Sequence, residues 1–144
     1  VGDIFVTEGG ILARFASVTS DGWEWSPPVD ALVRPNPRVT IVTGAGDRRD
    51  GTVYAFDREN ARILAFEKAT GDFVAQYRLA DGDDSWDGLL AMYALPGVDG
   101  APDTLVWASE TGVHEVLLGS ATDPAASPDP SGGPSPSADA TPDS

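Results

Sequence analysis

Gly51-Thr-Val-Tyr-Ala-Phe-Asp57 decides the fold, because the chain repeats its pattern as Gly2-Asp-Ile-Phe-Val-Thr-Glu8 and Asp103-Thr-Leu-Val-Trp-Ala-Ser109, at offsets of 49 and 52 residues. Each copy is a short run of β-branched and aromatic residues, the types that fit a pleated strand. A second apolar run follows each within a few residues: Ile11-Leu-Ala-Arg-Phe15, Arg62-Ile-Leu-Ala-Phe66 and Val113-His-Glu-Val-Leu117. Turn-forming residues separate the members of each pair, so the chain reads as three antiparallel hairpins.

Working outward from the hairpins, Gly22-Trp-Glu-Trp-Ser26 alternates Trp23 and Trp25 against Glu24, as an outer strand does. Arg38-Val-Thr-Ile-Val-Thr43 and Leu89-Leu-Ala-Met-Tyr-Ala-Leu95 precede the second and third hairpins and read as inner strands. Phe73 to Leu79 supplies a fourth strand to the middle unit, with Phe73, Ala75, Tyr77 and Leu79 expected to face inward and Gln76 and Arg78 outward. A period near fifty residues with four strands per unit is that of a β-propeller blade. The central runs Ile4 to Val6, Val53 to Phe56 and Leu105 to Ala108 are apolar at consecutive positions, which predicts strands buried on both faces. A sandwich would show cleaner alternation. The fold class predicted is therefore all-β, a partial β-propeller of about two to three blades of antiparallel four-stranded sheet.

The middle unit also carries a family resemblance. Gly51 to Phe66, followed by Gly71-Asp-Phe73, resembles the NHL-type propeller repeat at Asp57, Asn60, Arg62, Ile63 and Phe66. The first and third units depart from it, with turns shortened to Glu8-Gly9-Gly10 and Ser109-Glu-Thr-Gly112. In the middle unit Asn60 suits a left-handed turn position, and Asp57 and Arg62 flank the turn where they can pair. The resemblance implies a ring of about six blades, of which this chain would be the C-terminal portion.

Composition divides the 144 residues into a folded part, 1–119, and a segment, 120–144, built only of Ala, Ser, Pro, Gly, Thr and Asp. The latter has no apolar surface with which to offset about 1 to 2 kcal/mol per residue of ordering entropy, so it is expected to be a disordered tail. The net charge of −14 opposes phosphate backbones, which argues against a nucleic-acid partner. Cysteine is absent, which rules out disulfides and thiolate metal sites. No run is long and apolar enough to be a transmembrane segment. The start at Val1, without an initiator Met, reads as a processed chain or a fragment, and the low-complexity end resembles the ends of exported proteins, so an extracytoplasmic or cell-envelope place is expected.

Few residues suggest chemistry. Asp81, Asp83, Ser85 and Asp87 place oxygens at alternate positions, as calcium loops do, but Trp86 and Met92 stand where such a loop needs Gly and Glu. A solvated acidic loop is the plainer reading, and Ca2+ stays the one cofactor considered. Gly44-Ala-Gly46 has the glycines of a phosphate cradle without the following helix, and reads as a turn. His114 is the sole histidine, and Glu115 beside it in a strand points to the opposite face. Trp23, Trp25, Trp86 and Trp107 could form a sugar platform, although propeller cores use aromatics as packing.

No catalytic set emerges, so the function expected is binding of a protein or small ligand by a propeller segment of a larger bacterial envelope or signalling protein. Its missing blades would come from upstream residues or from a second copy. The alternative is an enzyme with its active site upstream, either a streptogramin-lyase-like propeller or a protein phosphatase carrying a regulatory propeller.

Overall fold

The computed structural model describes residues 3–16, 19–25, 32, 34, 36–47, 50–78 and 85–119. The expected tail, 120–144, and two of the four calcium candidates, Asp81 and Asp83, lie outside these. Among the described residues ten strands run in chain order: β1 (Asp3–Glu8), β2 (Ile11–Ala16), β3 (Thr19–Glu24), β4 (Val39–Gly44), β5 (Thr52–Asp57), β6 (Arg62–Glu67), β7 (Phe73–Arg78), β8 (Ala91–Leu95), β9 (Thr104–Ser109) and β10 (Gly112–Leu117). They form three antiparallel meanders, β1-β2-β3, β4-β5-β6-β7 and β8-β9-β10. The protein is all-β, and among the described residues no helix is long and apolar enough to cross a membrane.

The repeated motif occupies the same place in each sheet. β1, β5 and β9 each pair in full register with the strand that follows, so Ile4 faces Phe15, Tyr54 faces Ala65 and Val106 faces Glu115. β4 and β8 take equivalent positions ahead of β5 and β9. The middle sheet is covered on both sides. One face sets Val53, Ala55, Leu64 and Phe66 against Leu12, Trp23 and Phe5 of the first sheet. The other sets Tyr54, Phe56, Ile63 and Ala65 against Met92, Ala94, Leu105 and Trp107 of the third.

These contacts give the stack a direction. Call the face that each sheet turns toward the preceding sheet its leading face, and the opposite one its trailing face. Trailing packs on leading at both internal interfaces, and the repeat register keeps equivalent positions on equivalent faces: Val53 and Ala55 match Leu105 and Trp107. By the same alternation Ile4, Val6 and Ile11 lie on the leading face of the first sheet, and Tyr93, Leu95, Val113 and Leu117 on the trailing face of the third.

Burial of both faces, expected of all three central runs, holds only for β5. Ile4 and Val6 in β1 are 53% and 36% exposed, because no described sheet lies beyond them. In β9 Leu105 and Trp107 are buried while Val106 and Ala108 are half-buried. The inward row expected of β7 is also broken. A register irregularity between Ala65 and Phe66 turns Phe73 onto the leading face against Phe66, ring centroids 6.0 Å apart, while Ala75 and Tyr77 stay on the trailing side. Gln76 accordingly shares the face of Arg62 and accepts its Nη1–H at 2.8 Å. Leu79 lies outside the described residues.

Candidate binding cleft at the turn end

Meander order gathers the β1–β2, β5–β6 and β9–β10 turns at one end of the stack, beside the residues leading into β4 and β8. Backbone and side-chain bonds lace this end together. Val39 N–H donates to Gly10 O at 3.1 Å, which ties the first hairpin turn to β4. Arg58 in the second turn donates to Leu89 O at 2.8 Å, just ahead of β8. Gly10 has a φ of +87°, and a Cβ there would approach Arg38 Cα to 3.2 Å, so a glycine is what lets this turn sit against β4.

Between the turns lies a cleft of about 400 Å³ lined by Gly9, Gly10, Arg38, Thr40, Arg58 and Glu59, with Val39 at its floor. Arg38 Nη1 and Glu59 Oε1 are 3.0 Å apart, with side chains 65% and 61% exposed. A pair this exposed contributes at most about 1 kcal/mol, so a ligand can exchange with either partner at little cost. The cleft thus offers a guanidinium and a carboxylate side by side.

Beneath it, Asp57 and Arg62 form a buried pair, Arg62 Nε donating to Asp57 Oδ2 at 2.8 Å. Asn60 Nδ2 donates to the same oxygen at 2.7 Å. The pairing expected across this turn is present. The left-handed position is Ala61, at φ +46°, and not Asn60, whose amide serves instead to fasten the turn to Asp57. Asp57 Oδ1 and Arg62 Nη2 are buried without a hydrogen-bond partner among the described residues.

Of the calcium candidates within the described residues, Ser85 accepts the Trp107 indole N–H through its carbonyl at 2.9 Å, and Asp87 is exposed. No group of three or more His, Asp or Glu able to hold a metal occurs among the described residues. Gly44 to Gly46 does begin a turn, but its carbonyls face a cation: Lys68 Nζ donates to Ala45 O, Gly46 O and Asp47 O at 2.8, 3.1 and 2.8 Å. That polarity is the reverse of a phosphate cradle. His114 stacks on Trp107, centroids 5.3 Å apart, with its Nε2 3.4 Å from Ser109 Oγ. All four tryptophans take packing roles: Trp23 against Phe5, Trp25 against Phe66, and Trp86 against both Phe56 and Trp107.

Sequence reading passed over the cleft because its residues come from three separate segments, and only the stacking of the sheets brings them together. The one local trace was the doubled glycine at Gly9-Gly10. No family profile, curated protein or solved structure matches this chain.

Proposed function

We propose that this chain is a segment of an NHL-type β-propeller within a larger bacterial envelope or signalling protein, and that it binds a protein or small ligand at the turn end without transforming it. The observation that carries the reading is the cleft: loops from two successive repeat units converge there, and they present an exposed, weakly coupled guanidinium and carboxylate. Repeat-built β-domains use loops on one end as recognition surfaces held by a rigid scaffold. The directional stacking of three similar meanders supports the propeller, and the Asp57, Asn60 and Arg62 network supports the NHL-type resemblance.

The complementary pair favours a ligand that is itself zwitterionic, with a carboxylate for Arg38 and an ammonium for Glu59. The test is a titration of isotope-labelled protein with tripeptides bearing free termini, followed by amide chemical shifts. Shifts should concentrate at Gly9, Gly10, Arg38, Thr40, Arg58 and Glu59, and Glu59→Gln should weaken them. Shifts centred on His114 and Ser109 instead, or none at millimolar peptide, would overturn the assignment of the cleft.

A further inference from the structure

The two open faces of the stack belong to opposite types. The first sheet ends the stack with an uncovered leading face, where Ile4 and Ile11 are 53% and 61% exposed. The third ends it with an uncovered trailing face, where Tyr93, Val113 and Leu117 are 61%, 75% and 66% exposed. Rows of large apolar side chains this exposed mark surfaces that are covered in the working molecule. Both interfaces inside the chain join a trailing face to a leading one, and one chain carries a spare of each.

We propose that the trailing face of the third sheet docks the leading face of the first sheet of a second copy of this chain, continuing the stack head to tail. The contact is continuous with the two interfaces already present, because it repeats their geometry with equivalent strands, β9 to β1 as β1 to β5 and β5 to β9. A second feature fits it: the trailing face holds a preformed apolar hollow of about 160 Å³ between Ala91, Tyr93, Val106, Ala108 and Val113, sized for a single large side chain such as Ile4 or Phe15 of the incoming sheet. Along β1, β2 and β8 to β10 these faces carry two acidic residues, Glu8 and Glu115. A head-to-tail contact generates a closed ring or an open fibre. Three sheets per copy close at six in a pair, within the range of closed propellers, whereas three copies would need nine. That count rests on the propeller reading of the preceding section; the docking contact does not.

Light scattering after size exclusion tests both parts on the full chain. The expected mass is twice 15.0 kDa. Val113→Asp and Ile11→Asp alter exposed residues at opposite ends, so each should keep the native circular dichroism spectrum while weakening association about tenfold or more. The two variants mixed should associate again, because each still offers the face the other has lost. A wild-type monomer at high micromolar concentration overturns the proposal. So does loss of association in one variant alone, the mark of a face pairing with itself. Open fibres that still show complementation would leave the docking contact standing and remove the closed pair, and with it the propeller reading.

Discussion

Among the described residues Arg62 is the largest side chain fully withdrawn from solvent, and its charge is balanced there by the equally buried Asp57. A buried pair adds little net stability, because desolvating both ions offsets their attraction, but removing one partner strands the other. Asp57→Ala should therefore destabilise the protein by about 3 to 5 kcal/mol in urea unfolding, and adding Arg62→Met to it should restore much of the loss. A single-variant cost near zero would mean that water reaches Arg62. Tyr54 is a second pressure point. Burial, the hydrogen bond it donates to Asp103 Oδ2 at 2.6 Å, and that carboxylate's charge all raise its pKa above the ordinary 10.0. Burial and Asp103 raise Tyr77 as well. In the unfolded chain both phenols ionise near pH 10, while the folded form holds its protons. Their contribution is therefore complete below pH 10 and is lost as pH rises beyond it. Stability measured from pH 9 upward should fall past 10, and Tyr54→Phe should make that fall shallower; an unchanged slope would refute the assignment.

Strands differ in how much of the fold they hold. β6 is buried at five consecutive positions and β5 likewise, whereas β10 is exposed at all but His114. Amide hydrogen exchange should accordingly be slowest in β5 and β6 and faster in β10 and β1, since protection follows local burial. Equal protection in all ten strands would mean the uncovered faces are occupied in solution. The same contrast explains what the sequence disclosed. β5, β6 and β9 fall within one residue of the expected runs at either end, because the repeated motif is strongest there and Gly51 ahead of β5 takes a φ of +137° that favours glycine. β3 begins at Thr19 and not at Gly22, and β8 at Ala91 and not at Leu89, although Leu90 N–H still reaches Ala108 O at 2.8 Å. Side-chain period located the strands, but neither the irregularity that turns Phe73 over nor the exposure of Ile4 is written in a single strand. Both depend on what lies alongside. The cleft shows the limit again: Arg38 and Glu59 are 21 residues apart, and nothing local links them.

On the scale of the whole molecule, net charge matters more than any single contact. Formal charge of −14 over a chain of this length sets acidic residues against one another in the compact state. Salt screens such surface repulsion over about 10 Å at 0.1 M, while the enclosed Asp57–Arg62 pair is little affected. The melting temperature should therefore rise as sodium chloride is added from low ionic strength. A decrease would show that exposed ion pairs such as Arg38–Glu59 outweigh the net repulsion. Association of copies acts in the same direction, because screening favours contact between two acidic chains, so the experiment is best read at several protein concentrations.

Lys68 is the chain's single lysine, and its ammonium is enclosed by three carbonyls of the β4–β5 turn at 8% exposure. Lys68 is therefore a caged target for amine-reactive reagents, one that reacts only while the turn is open. The rate at which an acylating reagent labels Lys68, followed by peptide mass spectrometry, is a clock for that opening. It requires no engineered probe, and it should run faster when Gly51→Ala strains the cage.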